Sequence, residues 1–156
     1  MGQLNTAVGL DIGSELPTFA REVTMEKMID FERVVWDRGK NSHNDPSSAK
    51  RDGLSTMIAS GQNQMAFLHE LLERNFGDSW VFGGKISVRY IHPVYAGDRI
   101  TPRAKVAEVV ESDGASRAIL EIWCENQDGQ KTAVGTARVG PPTQQKSWID
   151  ASGTPQ

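Results

Sequence analysis

The main change in the period of the apolar positions falls at Gly77: before it they recur mostly at spacings of three and four, and after it they mostly alternate. Phe19 to Val23 alternates briefly, a short strand signal. Thr24 then suits the N-cap of a helix running to about Val35, with Met25, Met28, Ile29 and Val35 on its apolar side. Residues 37–52 are rich in Gly, Asn, Ser, Asp and Pro, which predicts a loop with one short helical turn after Pro46. From Gly61 to Asn75 the positions of Met65, Phe67, Leu68, Leu71 and Leu72 predict a helix with little exposed face, ended by Gly77.

The remainder reads as strands. Trp80-Val81-Phe82 is the first, and Lys85 to Val94 follows with a bend or sheet edge at Pro93. Arg99 to Val110, Arg117 to Glu125 and Lys131 to Val139 complete the set. Ser112-Asp113-Gly114 and Gln127-Asp128-Gly129 are the hairpin turns between them. In Arg117–Glu125, Ala118, Leu120, Ile122 and Cys124 oppose Ile119, Glu121 and Trp123. The order predicts an α+β fold in which an antiparallel meander curls round one buried helix. Such a sheet leaves an edge, and pairing with a second copy would cover it. Residues 1–142 are expected to form a single domain, and the Gln-, Ser-, Gly- and Pro-rich residues 143–156 a flexible C-terminal tail.

Composition narrows the class. A chain of 156 residues supports one real core. The net charge of −3, with no clustered Lys/Arg stripe, argues against a nucleic-acid partner. No apolar run approaches the roughly 18 residues of a membrane span. The lone Cys124 rules out an internal disulfide framework and fits a reducing compartment. The N-terminus lacks a signal-peptide pattern, so a cytoplasmic location is expected. Met1-Gly2 to Thr6 also meets the loose myristoylation pattern. His43, His69 and His92 are too scattered for a zinc site, and no metal or cofactor is expected.

The chemistry concentrates in residues 37–61. Asp37, Asn41, His43 and Asp45 form the one close grouping of His, Asp and Asn, and it runs through Met57, Ser60 and Gly61 into the long helix. Taken alone, Asp45-Pro46 is ordinary helix-capping chemistry. Taken with its surroundings, an imidazole and a carboxylate beside a buried helix can move protons to and from water. An amide N–H at the helix start can meet an oxyanion, and glycine leaves that approach open.

The span from Val8 to Pro142 resembles the MaoC-like branch of the hot-dog fold, the R-specific enoyl-CoA hydratases and dehydratases. The resemblance is carried by Val8-Gly-Leu-Asp-Ile-Gly-Ser-Glu-Leu-Pro17, His43-x-Asp45-Pro-x-x-Ala49, Gly53-Leu54 to Ile58-Ala-Ser-Gly61, Pro93-Val-Tyr-Ala-Gly-Asp98, and Asn126 to Val139. It implies a hot-dog sheet wrapped on a central helix and a homodimer or pseudo-dimer. It also implies a thioester substrate on coenzyme A or acyl carrier protein. Asp37 and His43 would then be the catalytic pair and the Gly61 amide the oxyanion contact. Asn41, Asp45, Ser60 and Met57 are the further substrate-binding candidates. Two departures stand out: Asp37 precedes His43 by six residues rather than the usual five, and Ser60 stands where many hydratases carry histidine. The first expectation is therefore a hydratase or dehydratase of an enoyl or 3-hydroxyacyl thioester. The departures motivate a second, a non-catalytic or half-active subunit that needs a partner. A third, a hot-dog thioesterase, wants a carboxylate early on the central helix, where this chain has Gln62, Asn63 and Gln64. Arg89, Arg99 and Arg103 are candidates for coenzyme A phosphates.

Overall fold

A computed structural model describes residues 9–36, 39–112 (the side chain of residue 112 excepted) and 114–141. Asp37, the residues of the myristoylation pattern and the expected tail lie outside the described residues. The elements are β1 (Arg21–Glu22), α1 (Met25–Val35), α2 (Pro46–Arg51), α3 (Gly61–Phe76), α4 (Asp78–Gly83), β2 (Lys85–Tyr90), β3 (Arg99–Ser112), β4 (Ala115–Glu125) and β5 (Lys131–Val139).

The five strands form one antiparallel sheet in the order β1-β3-β4-β5-β2. Alternation fixes its inner face: Ala118, Leu120, Ile122 and Cys124 of β4 are buried, as the sequence pattern predicts. Ala104 and Val106 of β3 and Ala133 and Ala137 of β5 join them. Against this face lies α3, whose Leu68, Leu71, Leu72 and Phe76 are completely buried. Alanines set among the larger strand side chains leave room for the leucines and phenylalanine of the helix, so the two layers interlock. This is the hot-dog arrangement.

Three elements differ from their sequence expectation. Trp80-Val81-Phe82 lies in the helix α4, not a strand. Gly77, at a φ of 53°, closes α3 and also accepts the N–H groups of Trp80 and Val81, so the chain turns straight into another helix. A short apolar run carries no period of its own; in the helix Trp80 is buried while Val81 and Phe82 are exposed. The central helix is also less enclosed than expected. Gln62, Ala66, His69 and Glu73 form an exposed stripe along it in the single chain. Finally, α1 starts at the predicted Thr24 cap, but only Met28 and Glu32 are buried; Met25, Ile29, Val34 and Val35 are exposed.

Among the described residues, the edge strand β2 pairs only with β5. The pairing is close: a Cβ on Gly135 would overlap the Ser87 carbonyl oxygen, so glycine is required there. Beyond Tyr90 the chain bends through Ile91-His92-Pro93, with Ile91 and His92 still donating their N–H groups to Thr132.

Candidate active site

The loop before α2 is held by its own amides. His43 N–H donates to Asn41 Oδ1 at 2.8 Å, and Asn41 N–H donates to Asn44 Oδ1 at 2.8 Å. Asn44 Nδ2 reaches back to the Gly39 carbonyl, also at 2.8 Å. These turns explain the Asn-rich composition: short amides replace the backbone partners that a tight loop lacks. Asp45 caps α2, its Oδ2 accepting both the backbone N–H and the hydroxyl of Ser48 at 2.9 Å. Those Ser48 bonds, the hydroxyl's first, hold the Asp45 carboxyl below the usual aspartate range, with Lys40 adding to the effect.

Residues 57–59 pass between this loop and the Pro93–Asp98 turn. Ile58 N–H donates to Ser42, Ala59 N–H to Val94, and Ala96 N–H to Met57. The placement sets His43. Its Nδ1 lies 2.9 Å from the Ile58 carbonyl oxygen, which can only accept. Nδ1 therefore carries the proton. In the neutral ring Nε2 is left with a lone pair, the form a general base requires.

Beside the ring opens a cavity of about 350 Å³, lined by His43, Ile58, Ala59, Gly61, Gln64 and the segment Tyr90–Pro93. Gly61 is the first residue of α3, where backbone N–H groups have no partner within the helix. The Tyr90 ring packs on it so closely that a Cβ would sit 2.6 Å from Cε2. Burial, with the Cys124 thiol second, pushes the Tyr90 phenol up, so it stays neutral. Cys124 itself is pushed up to about 12 by burial and is an inert thiol.

The structure thus brings His43 and Gly61 to one cavity, with Asn41 behind His43. Met57 is fully enclosed in the core and does not line the cavity. Ser60 caps α3 without a side-chain bond, and among the described residues its buried Oγ has no partner. Gln64, Tyr90 and His92 are cavity residues that sequence reasoning did not single out for the site. Their one signal was position, in the first turn of the long helix and just before Pro93. His69 stands apart, accepting a hydrogen bond from Trp80 Nε1 at 3.2 Å. Arg103 is committed to Glu125 and Glu15, whereas Arg89 and Arg99 are exposed. Among the described residues no group of three His, Cys, Asp or Glu side chains suits a metal, and no helix is long and apolar enough to cross a membrane.

Comparison with known proteins bears on the fold. No curated protein sequence matches the chain. Solved structures do. The R-hydratase PhaJ1 from Pseudomonas aeruginosa superposes with a TM-score of 0.73 at 17% identity, over 90% of this chain and 87% of that one. The (R)-hydratase from A. caviae involved in PHA biosynthesis gives 0.71 at 20% identity, over 85% and 97%. The HadBC (3R-hydroxyacyl-ACP dehydratase) complex from Mycobacterium tuberculosis gives 0.63 at 19% identity, over 85% and 99%. At such identities the likeness is one of fold. The family described as MaoC like domain matches residues 12–140, nearly the whole described span, and the chain belongs to that family of dehydratase-type hot-dog proteins.

Proposed function

We propose that the protein is a hydro-lyase that adds water to an enoyl thioester, or removes it from a 3-hydroxyacyl thioester, with the acyl group carried on coenzyme A or acyl carrier protein. One observation carries the reading: His43 is fixed with Nδ1–H on the Ile58 carbonyl, leaving Nε2 basic, and shares a cavity with the start of α3 at Gly61. In hydration, His43 Nε2 takes a proton from water as its oxygen bonds to the β-carbon. The double-bond electrons move toward the thioester carbonyl, forming an enolate. The Gly61 N–H donates to that oxygen, an interaction whose loss typically costs about 100–1000-fold in rate. Protonation at the α-carbon completes the addition, with Asp37 and His43 sharing the proton traffic. Dehydration runs the same steps backward. Asn41 acts by holding His43, and Ser60 offers a hydroxyl beside the oxyanion contact. Asp45 supports the same loop through α2, and Met57 backs the pocket from the core.

The unpaired edge of β2 and the exposed stripe of α3 support a homodimer. A reducing cytoplasm suits the buried thiol of Cys124. The irregular Asp37–His43 spacing favours one alternative, a half-active subunit that works beside an unlike partner. Two similar folds come from complexes of named pairs, HadBC and ChsH1-ChsH2. The thioesterase reading has less support, because the first turn of α3 offers Gln62, Asn63 and Gln64 and no carboxylate.

Purified protein mixed with crotonyl-CoA tests the reading. The conjugated thioester absorbance is expected to fall without release of free thiol. Thiol release would favour the thioesterase. Unchanged absorbance from a homodimer across enoyl-CoAs of several lengths would overturn the proposal.

A further inference from the structure

We propose that the cavity beside His43 selects a short acyl group bearing an uncharged oxygen, a hydroxyl or a carbonyl, over a plain alkyl chain. The hydro-lyase reading supplies the thioester; the preference itself comes from the cavity wall.

Gln64 lies in the first turn of α3 and is only 3% exposed, yet it lines the cavity. Its Oε1 lies 2.8 Å from the hydroxyl of Thr132, a fully buried residue of β5 whose single proton is closer to this oxygen than to the Cys124 carbonyl at 3.3 Å. Its backbone carbonyl accepts from the Cys124 thiol of β4. The residue is thereby pinned from two strands with its oxygen already used. The amide Nε2, with two N–H donors, has no protein partner among the described residues. Nε2 opens on the cavity, and an apolar chain that displaced water from it would leave the donor unpaired. An acyl oxygen would satisfy it. The neutral phenol of Tyr90, at the same wall and without a hydrogen-bond partner among the described residues, is a second donor.

The substituent's charge follows from what is missing. No Lys or Arg is among the described residues lining the cavity, so a carboxylate would lose its hydration without a counter-charge. The opening of about 350 Å³, near the lower end for ligand sites, suits a short acyl group.

Calorimetric titration of the full-length protein with butyryl-CoA and γ-hydroxybutyryl-CoA tests the preference without requiring turnover. The hydroxylated ligand is expected to bind about tenfold more tightly, as one added neutral hydrogen bond allows. Gln64→Met keeps the length and removes the donors, and should abolish the difference. Thr132→Val keeps the amide but frees its orientation, and should reduce the difference; it also serves if the first variant fails to fold. Equal binding of the two ligands by wild type, or an unchanged ratio in the folded variants, overturns the inference, even if hydration is observed. A kept preference in a protein that hydrates no enoyl thioester would instead remove the hydro-lyase reading and leave the pocket assignment standing.

Discussion

The positions of two candidate residues were legible from the chain itself: His43 in a polar loop and Gly61 at the head of a helix follow from local pattern, while their candidate roles came from the family resemblance. What no local pattern carried is the wall opposite them. Tyr90 and His92 reach the cavity because β2 is registered on β5 and the chain then bends at Pro93, a pairing made across some 40 residues of sequence. Gln64 counted in the sequence only as a carboxylate that was not there; its bond to Thr132 spans 68 residues. The closeness of Tyr90 to Gly61 gives a prediction at this scale. Gly61→Ala places a methyl against the ring, so ring and amide cannot both keep their positions. A drop in kcat/KM of about 100-fold is expected if the amide N–H is displaced from the oxyanion, and Tyr90→Ala in the same chain should recover part of it. Wild-type kinetics in Gly61→Ala would mean that the half-exposed Tyr90 ring gives way and the amide keeps its place.

Among the elements, capping was the most readable feature. Thr24 and Asp45 were expected to start helices and do so, because a short oxygen-bearing side chain before a helical run satisfies an amide that the helix leaves open. Element α4 differs from its expectation because a run of only three bulky residues, Trp80-Val81-Phe82, fits a short strand and a short helix equally. The Asp45 cap has a pH signature. Its carboxyl is depressed by Ser48 and Lys40, so it stabilises the folded state above the ordinary aspartate value and loses that contribution as the pH falls through its own lower value. Denaturant melts of wild type and Asp45→Ala should therefore differ near neutral pH, wild type being the more stable, and converge as the pH drops below about 4. A gap that stays constant down to low pH would mean that Asp45 acts through something other than its charge.

At the scale of the whole molecule, the change of apolar period at Gly77 announced helix before and sheet after. The strand alternation then gave the inner face. The period said less about how much of α3 the sheet can cover, because one sheet reaches only one side of a helix; the other side carries Gln62, Ala66, His69 and Glu73. That stripe and the unpaired edge of β2 argue for a dimer, and light scattering should return twice the 17.1 kDa chain mass. A monomer at micromolar concentration would count against it. The central claim is that His43 moves the proton in water addition. The most direct measurement is the turnover of crotonyl-CoA by wild type and His43→Ala at matched thermal stability. A loss of about 100-fold to 10,000-fold with the fold intact is the predicted result; equal turnover by the two proteins would contradict the account.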